Sequence, residues 1–212
     1  MKHLKFLGPL ALVSAVALAL IGATAASATV LCENNLNTAT CGQVVPKTTL
    51  FESKLQAGTV ADIDPGVQEI ECKQSAIGAR TENAGSDKET VRLPDTANKE
   101  LLVVRFEECD CTVAVLATGD IEVHHIVTTD NGMLTSNGLQ ITTRCVGIFG
   151  EIHCIFKTVN ANMGTLKGGS PSELVISVAL ERVATNKLCS EVIHWTGKYE
   201  VTTPKPLYVT AG

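Results

Sequence analysis

Apolar and polar residues alternate with a period of two along most of this chain, and Val, Ile and Thr dominate the alternating stretches. Successive side chains of a strand point to opposite faces, so this pattern predicts strands with one buried and one wet side. In residues 191–203, Ile193, Trp195, Gly197, Tyr199 and Val201 share one face, and His194, Thr196, Lys198, Glu200 and Thr202 share the other. Residues 172–183 place Leu174, Ile176, Val178 and Leu180 inward, with Ser177 and Glu181 outward. Residues 101–108 place Leu102, Val104 and Phe106 inward, with Arg105 and Glu107 outward. Residues 112–129 carry Val113, Val115 and Ala117, turn near Gly119-Asp120, and resume with Ile121, Val123, His125 and Val127. They predict two strands or one bent strand.

Asp130-Asn131-Gly132 and Asn137-Gly138 are hairpin signals, because Asn and Gly accept the positive φ of a tight turn. They flank residues 133–136, with 139–144 expected as the returning strand. Residues 47–55 and 67–76 supply weaker strand candidates. Residues 80–99 are rich in Glu, Asp, Asn and Lys and predict a long solvated loop. Pro204 and Pro206 lack the ladder donor, so 203–209 is expected at an edge or as an extended tail. No 3.6-residue period persists, and helices are not expected. About nine or ten short strands without crossover helices predict an all-β fold, an antiparallel β-sandwich or a partly closed barrel.

The first 28 residues stand apart. Lys2 and Lys5 precede an apolar run at 10–21, and Ala26-Ser27-Ala28 offers the small residues a signal peptidase requires. The expected division is a signal peptide, 1–28, and one all-β domain, 29–212. The apolar run would span only ~18 Å as a helix, short of a ~30 Å hydrocarbon core, so no transmembrane segment is expected. Losing the leader removes two lysines and no acid, leaving 15 basic against 22 acidic residues and a net charge of −7. That sign disfavours nucleic acid and anionic membrane surfaces. Trp195, Tyr199 and Tyr208 are the only Trp or Tyr residues, too few for a stacking platform.

All eight cysteines follow the leader, and an even number in an exported chain reads as a disulfide framework. Cys32 with Cys41 and Cys145 with Cys154 each enclose eight residues and are expected to close local loops. Cys72, Cys109, Cys111 and Cys189 remain. A Cys109–Cys111 bond closes too small a ring, which leaves two connectivities. Strand parity groups Cys72 with Ile70 and Cys111 with Val113, and favours Cys72–Cys111 with Cys109–Cys189.

Other chemistry is sparse. Cys109-Asp110-Cys111 could hold a metal or act in redox exchange, but Glu107, Glu108 and Asp110 would raise the thiol pKa, and a structural role is expected. Glu122 with His124 and Glu151 with His153 each share a strand face, and the four would form a metal or acid–base cluster if their segments met. His125 is expected on an apolar face, and Trp195 in the core. Asp62-Ile63-Asp64 lacks the rest of a calcium ligand series and runs into Pro65-Gly66. Leu93-Pro94-Asp95-Thr96-Ala97 imitates a sorting signal without the apolar segment and basic tail such a signal needs. No serine elbow, zincin histidine pair or cysteine nucleophile occurs.

The tail from Trp195 through Val209, the segment Asn162-Met163-Gly164-Thr165-Leu166-Lys167-Gly168 and the Phe106–Cys111 region together resemble a group of secreted actinobacterial proteins of unknown function. The resemblance implies an exported, β-rich, disulfide-bearing domain and carries no activity, cofactor or site. The expectation is a secreted or cell-envelope module with a binding or structural role and no catalytic signature, whose partner is an extracellular protein or a cell-wall component. An extracellular hydrolase using the Glu122, His124, Glu151 and His153 set is the alternative. A protease inhibitor presenting the Cys145–Cys154 loop is a third.

Overall fold

The computed structural model describes residues 29–37, 40–65, 68–82, 85, 89–92, 104–117, 119–147, 150–183 and 187–212. The expected leader, the 93–97 motif and Leu102 lie outside these. Every regular element among the described residues is a strand. In chain order they are β1 (Thr29–Asn37), β2 (Thr40–Val44), β3 (Leu50–Leu55), β4 (Ala61–Asp64), β5 (Ile70–Thr81), β6 (Glu89–Arg92), β7 (Arg105–Cys109) and β8 (Thr112–Ala117). They continue as β9 (Asp120–His125), β10 (Gly132–Asn137), β11 (Gln140–Gly147), β12 (Gly150–Lys157), β13 (Ala161–Lys167), β14 (Glu173–Arg182), β15 (Val192–Thr203) and β16 (Tyr208–Ala211).

The registers show that several consecutive strands run end to end instead of folding back. β3 and β4 pair with successive parts of the same two neighbours, β5 and β15, in one direction. The same holds for β6 with β7 along β5, for β8 with β9 along β10 and β11, and for β12 with β13 along β10, β11 and β14. The wall therefore consists of eight long strands in meander order: β3/β4, β5, β6/β7, β8/β9, β10/β11, β12/β13, β14 and β15. The last returns to the first, and all pairs are antiparallel. The result is an up-and-down barrel, which removes the sheet edges that an open sheet would leave exposed. One slit remains, because β7 pairs with β5 and β8 with β11 but not with each other.

The sixteen strands exceed the nine or ten expected because the long ones are interrupted at a common level. Asn137-Gly138 is the informative case. Its residues predict a reversal of the chain, but β11 continues in the direction of β10, with Gly138 at φ 82° serving as a kink. Gly119, at φ 61°, kinks the adjoining strand alongside it. Asp130-Asn131-Gly132 does lie at a reversal, between β9 and β10. The stretch expected as a loop, 80–99, contains the end of β5 and all of β6.

Inward faces match the alternation, except at Val127, which lies in the turn past the end of β9 and is exposed. Ile193, Trp195, Tyr199 and Val201 of β15 and Leu174, Ile176, Val178 and Leu180 of β14 are buried, together with Val104 and Phe106. Outward positions carry Glu71, Lys73, Glu181, His194 and Lys198. A three-stranded sheet, β16-β1-β2, covers one end of the barrel. Its Leu31 reaches in among Phe51, Ile77, Leu134 and Met163, and the interior void there is only about 20 Å³. The proline-bearing tail leads into β16, an edge strand of this cap.

Eight cysteines form four cystines, and none is free. Cys32 pairs with Cys41 in the cap. The other three expected pairings, Cys145–Cys154, Cys72–Cys111 and Cys109–Cys189, are replaced by Cys72–Cys109, Cys111–Cys145 and Cys154–Cys189. Parity misleads at Cys109 because Glu108, at φ 52°, breaks the alternation and turns Cys109 to the side of Cys72, directly opposite on β5. Cys145 lies opposite Ile152, and Cys154 opposite Thr143, a diagonal offset too wide for a bridge. Extending the β8–β11 register by one step brings Cys111 to Cys145. The three cystines cluster at the uncapped end of the barrel.

Candidate functional site

Two concavities open on the outer wall. The first lies at the level of the interruptions. Lys54 of β3 pairs opposite Ala76 of β5, and Ala61 of β4 opposite Cys72, so the chain between β3 and β4 swings out and leaves Lys73, Gln74 and Ser75 without a partner on that side. The alternation of β5 changes phase at the same point. Ile70 and Cys72 face inward, Lys73 and Gln74 both face solvent, and Ser75 and Ile77 resume the buried face. The hollow is about 300 Å³ and is walled by Lys54 and Leu55 from β3, by residues 73–76 of β5, and by Arg105 and Glu107 of β7.

Its electrostatics are unusual for an acidic chain. Lys54, Lys73 and Arg105 come together from three adjacent strands. Arg105 Nε lies 3.0 Å from Glu107 Oε1, the one carboxylate that lines the hollow among the described residues. Among the described residues neither Lys54 nor Lys73 holds an ion pair or a side-chain hydrogen bond. Glu200, opposite Lys54 on β15, is taken by Lys205 at 2.6 Å. Beneath the hollow, Ser75 Oγ donates to the Arg105 carbonyl at 2.8 Å and lies 3.0 Å from the Tyr199 hydroxyl. Burial pushes the Tyr199 phenol up to about 12 against the opposing pull of the Ser75 hydrogen bond.

The second concavity, about 480 Å³, follows the slit between β7 and β8. Glu107, Glu108 and Asp110 line it on one side and Arg144 on the other. Arg144 already faces Glu151 at 3.9 Å, Gln74 donates to Glu108, and Asp110 accepts the Glu71 amide. Cys109 and Cys111 beside it belong to different cystines, so no thiolate is present for redox or metal chemistry.

The Glu/His set expected for a hydrolase is not assembled. Glu122 and His124 are 3.5 Å apart on β9, and His124 also contacts Thr135. Glu151 and His153 sit on β12, where His153 Nε2 shares a 2.6 Å hydrogen bond with Thr142. β10 and β11 lie between these strands in the wall. Among the described residues no three His, Cys, Asp or Glu side chains converge as metal ligands. The loop expected to display an inhibitor-like segment lacks its Cys145–Cys154 closure.

Of the remaining candidates, His125 Nε2 donates to the Thr129 carbonyl at 2.8 Å, and Trp195 is fully buried against Phe106 and Tyr199. His194 faces solvent on β15. Asp62 and Asp64 lie on strand β4, not in a calcium loop, and burial raises the Asp62 carboxyl above its ordinary range, with Asp64 and Glu71 adding like charge. Sequence reasoning missed the basic hollow because its three cations are 19 and 32 residues apart. The available signal was the phase break after Cys72, where Lys, Gln and Ser follow one another.

No family model, curated protein or solved structure matches this chain.

Proposed function

We propose that this protein is an exported, cystine-locked barrel that acts outside the cytoplasm as a binding module and recognises its partner on the outer wall, not in an internal chamber. The observation that carries this reading is the close packing beneath the cap. Among the described residues the void there is about 20 Å³, space for about one water, whereas the outer wall carries hollows of about 300 and 480 Å³. Four cystines support an oxidising compartment, since paired sulfur is the stable form there. The partner is an extracellular protein or a cell-wall component, held non-covalently by polar contacts.

The test is fractionation of a bacterial host expressing the full chain, followed by co-sedimentation of the purified 29–212 protein with isolated cell-wall material and with the secreted protein fraction. The expected result is a processed, fully oxidised protein outside the cytoplasm that is retained by one of the two fractions. A cytoplasmic protein with reduced thiols, or one retained by neither fraction, overturns the reading.

A further inference from the structure

We infer that the hollow bounded by Lys54, Lys73 and Arg105 is a binding site for a phosphate monoester or a comparable dianionic oxyanion carrying a small organic group. The inference deepens the outer-wall binding reading above and rests on it. Three cations from three neighbouring strands surround one concavity, and Glu107 offsets one of them, so the described residues leave a local charge of about +2 that matches a dianion. Like-charged side chains that gather without a counter-ion repel one another, and a bound anion removes that cost. Lys54 and Lys73 are also poised for this role, because among the described residues nothing else engages their ammonium groups.

The chemistry of the donors narrows the ligand class. Two ammonium groups supply compact charge without directional preference, and a guanidinium adds a planar fork suited to tetrahedral and planar oxyanions. Arg105 uses its Nε on Glu107, which leaves its terminal nitrogens for a ligand. At about 300 Å³ the hollow exceeds a bare phosphate ion several-fold, and Leu55 provides an apolar side for an attached group. The hollow persists because it is built into the wall. β3 ends at Leu55, and Ser75 beneath is held on two sides by the Arg105 carbonyl and Tyr199.

The experiment is an amide NMR titration of the isotopically labelled 29–212 protein at low ionic strength, with inorganic phosphate and with a hexose 6-phosphate as separate probes and chloride as control. The expected result is saturable shifts at Lys54, Lys73, Ser75 and Arg105, in the millimolar range for phosphate and tighter for the hexose phosphate. The Lys54→Gln/Lys73→Gln double variant should lose about tenfold or more in affinity, while its spectrum away from the hollow stays unchanged. Shifts that chloride reproduces, or a double variant that titrates like the parent, overturn the inference. The titration reads the hollow alone and the fractionation reads export and partner capture, so the failure of one is distinguishable from the failure of the other.

Discussion

The Tyr199 hydroxyl lies 3.0 Å from Ser75 Oγ, and this contact ties β15 to β5 where the strand between them is interrupted. Both groups are buried. Where wall hydrogen bonds lapse, a side-chain pair takes over the join.

The pair gives a stability and pH prediction. Tyr199→Phe should cost about 1 kcal/mol, the net value of one neutral hydrogen bond, measured by chemical denaturation. The phenol is raised in the folded state from 10.0 to about 12, so its contribution is complete below pH 10 and is lost as pH climbs towards 12. The parent should lose stability over that alkaline window more steeply than Tyr199→Phe, and equal slopes would contradict the assignment.

The cystine pattern is directly checkable. A non-reducing peptide map should link Cys32 with Cys41, Cys72 with Cys109, Cys111 with Cys145 and Cys154 with Cys189. Replacing Cys111 and Cys145 together by Ser should destabilise the fold by about 3–4 kcal/mol, from the chain entropy of the loop they close. A recovered Cys145–Cys154 peptide would refute the register of β8 on β11.

Glu89 offers a second pH lever, of opposite practical consequence. The residue is 1% exposed, and one carboxyl oxygen is buried without a hydrogen-bond partner among the described residues. Burial raises its pKa above 4.5, against the pull of the Gly85 amide. The protonated form is favoured in the fold, so its stabilising effect is present below pH 4.5 and lost as pH rises through the folded value. Glu89→Gln should therefore raise the melting temperature at neutral pH and lose that advantage in acid. An unchanged or lower melting temperature at neutral pH would count against a buried carboxylate.

The kink at Gly119 should tolerate no side chain. A Cβ there would sit 2.4 Å from the Asn137 oxygen and the Leu139 nitrogen, both backbone, at a φ of 61°. Gly119→Ala is expected to cost about 2–4 kcal/mol through combined clash and strain, read by thermal unfolding. A near-neutral result would show that the interrupted strands can slide apart.

What the alternation determined by itself is the class of fold and the inward face of most strands, because a period of two admits only one partition once half the residues are apolar. Ile193, Trp195, Tyr199 and Val201 needed no neighbour to declare their side. Closure was a tertiary decision. Asn137-Gly138 carries the same local chemistry as a hairpin turn, and only pairing of β11 with β12 and β8 makes it a kink instead. The cystine partners followed from register and from the left-handed Glu108, neither of which a residue's own identity encodes. The basic hollow was equally invisible, since Lys54, Lys73 and Arg105 meet only when three strands align and one of them breaks.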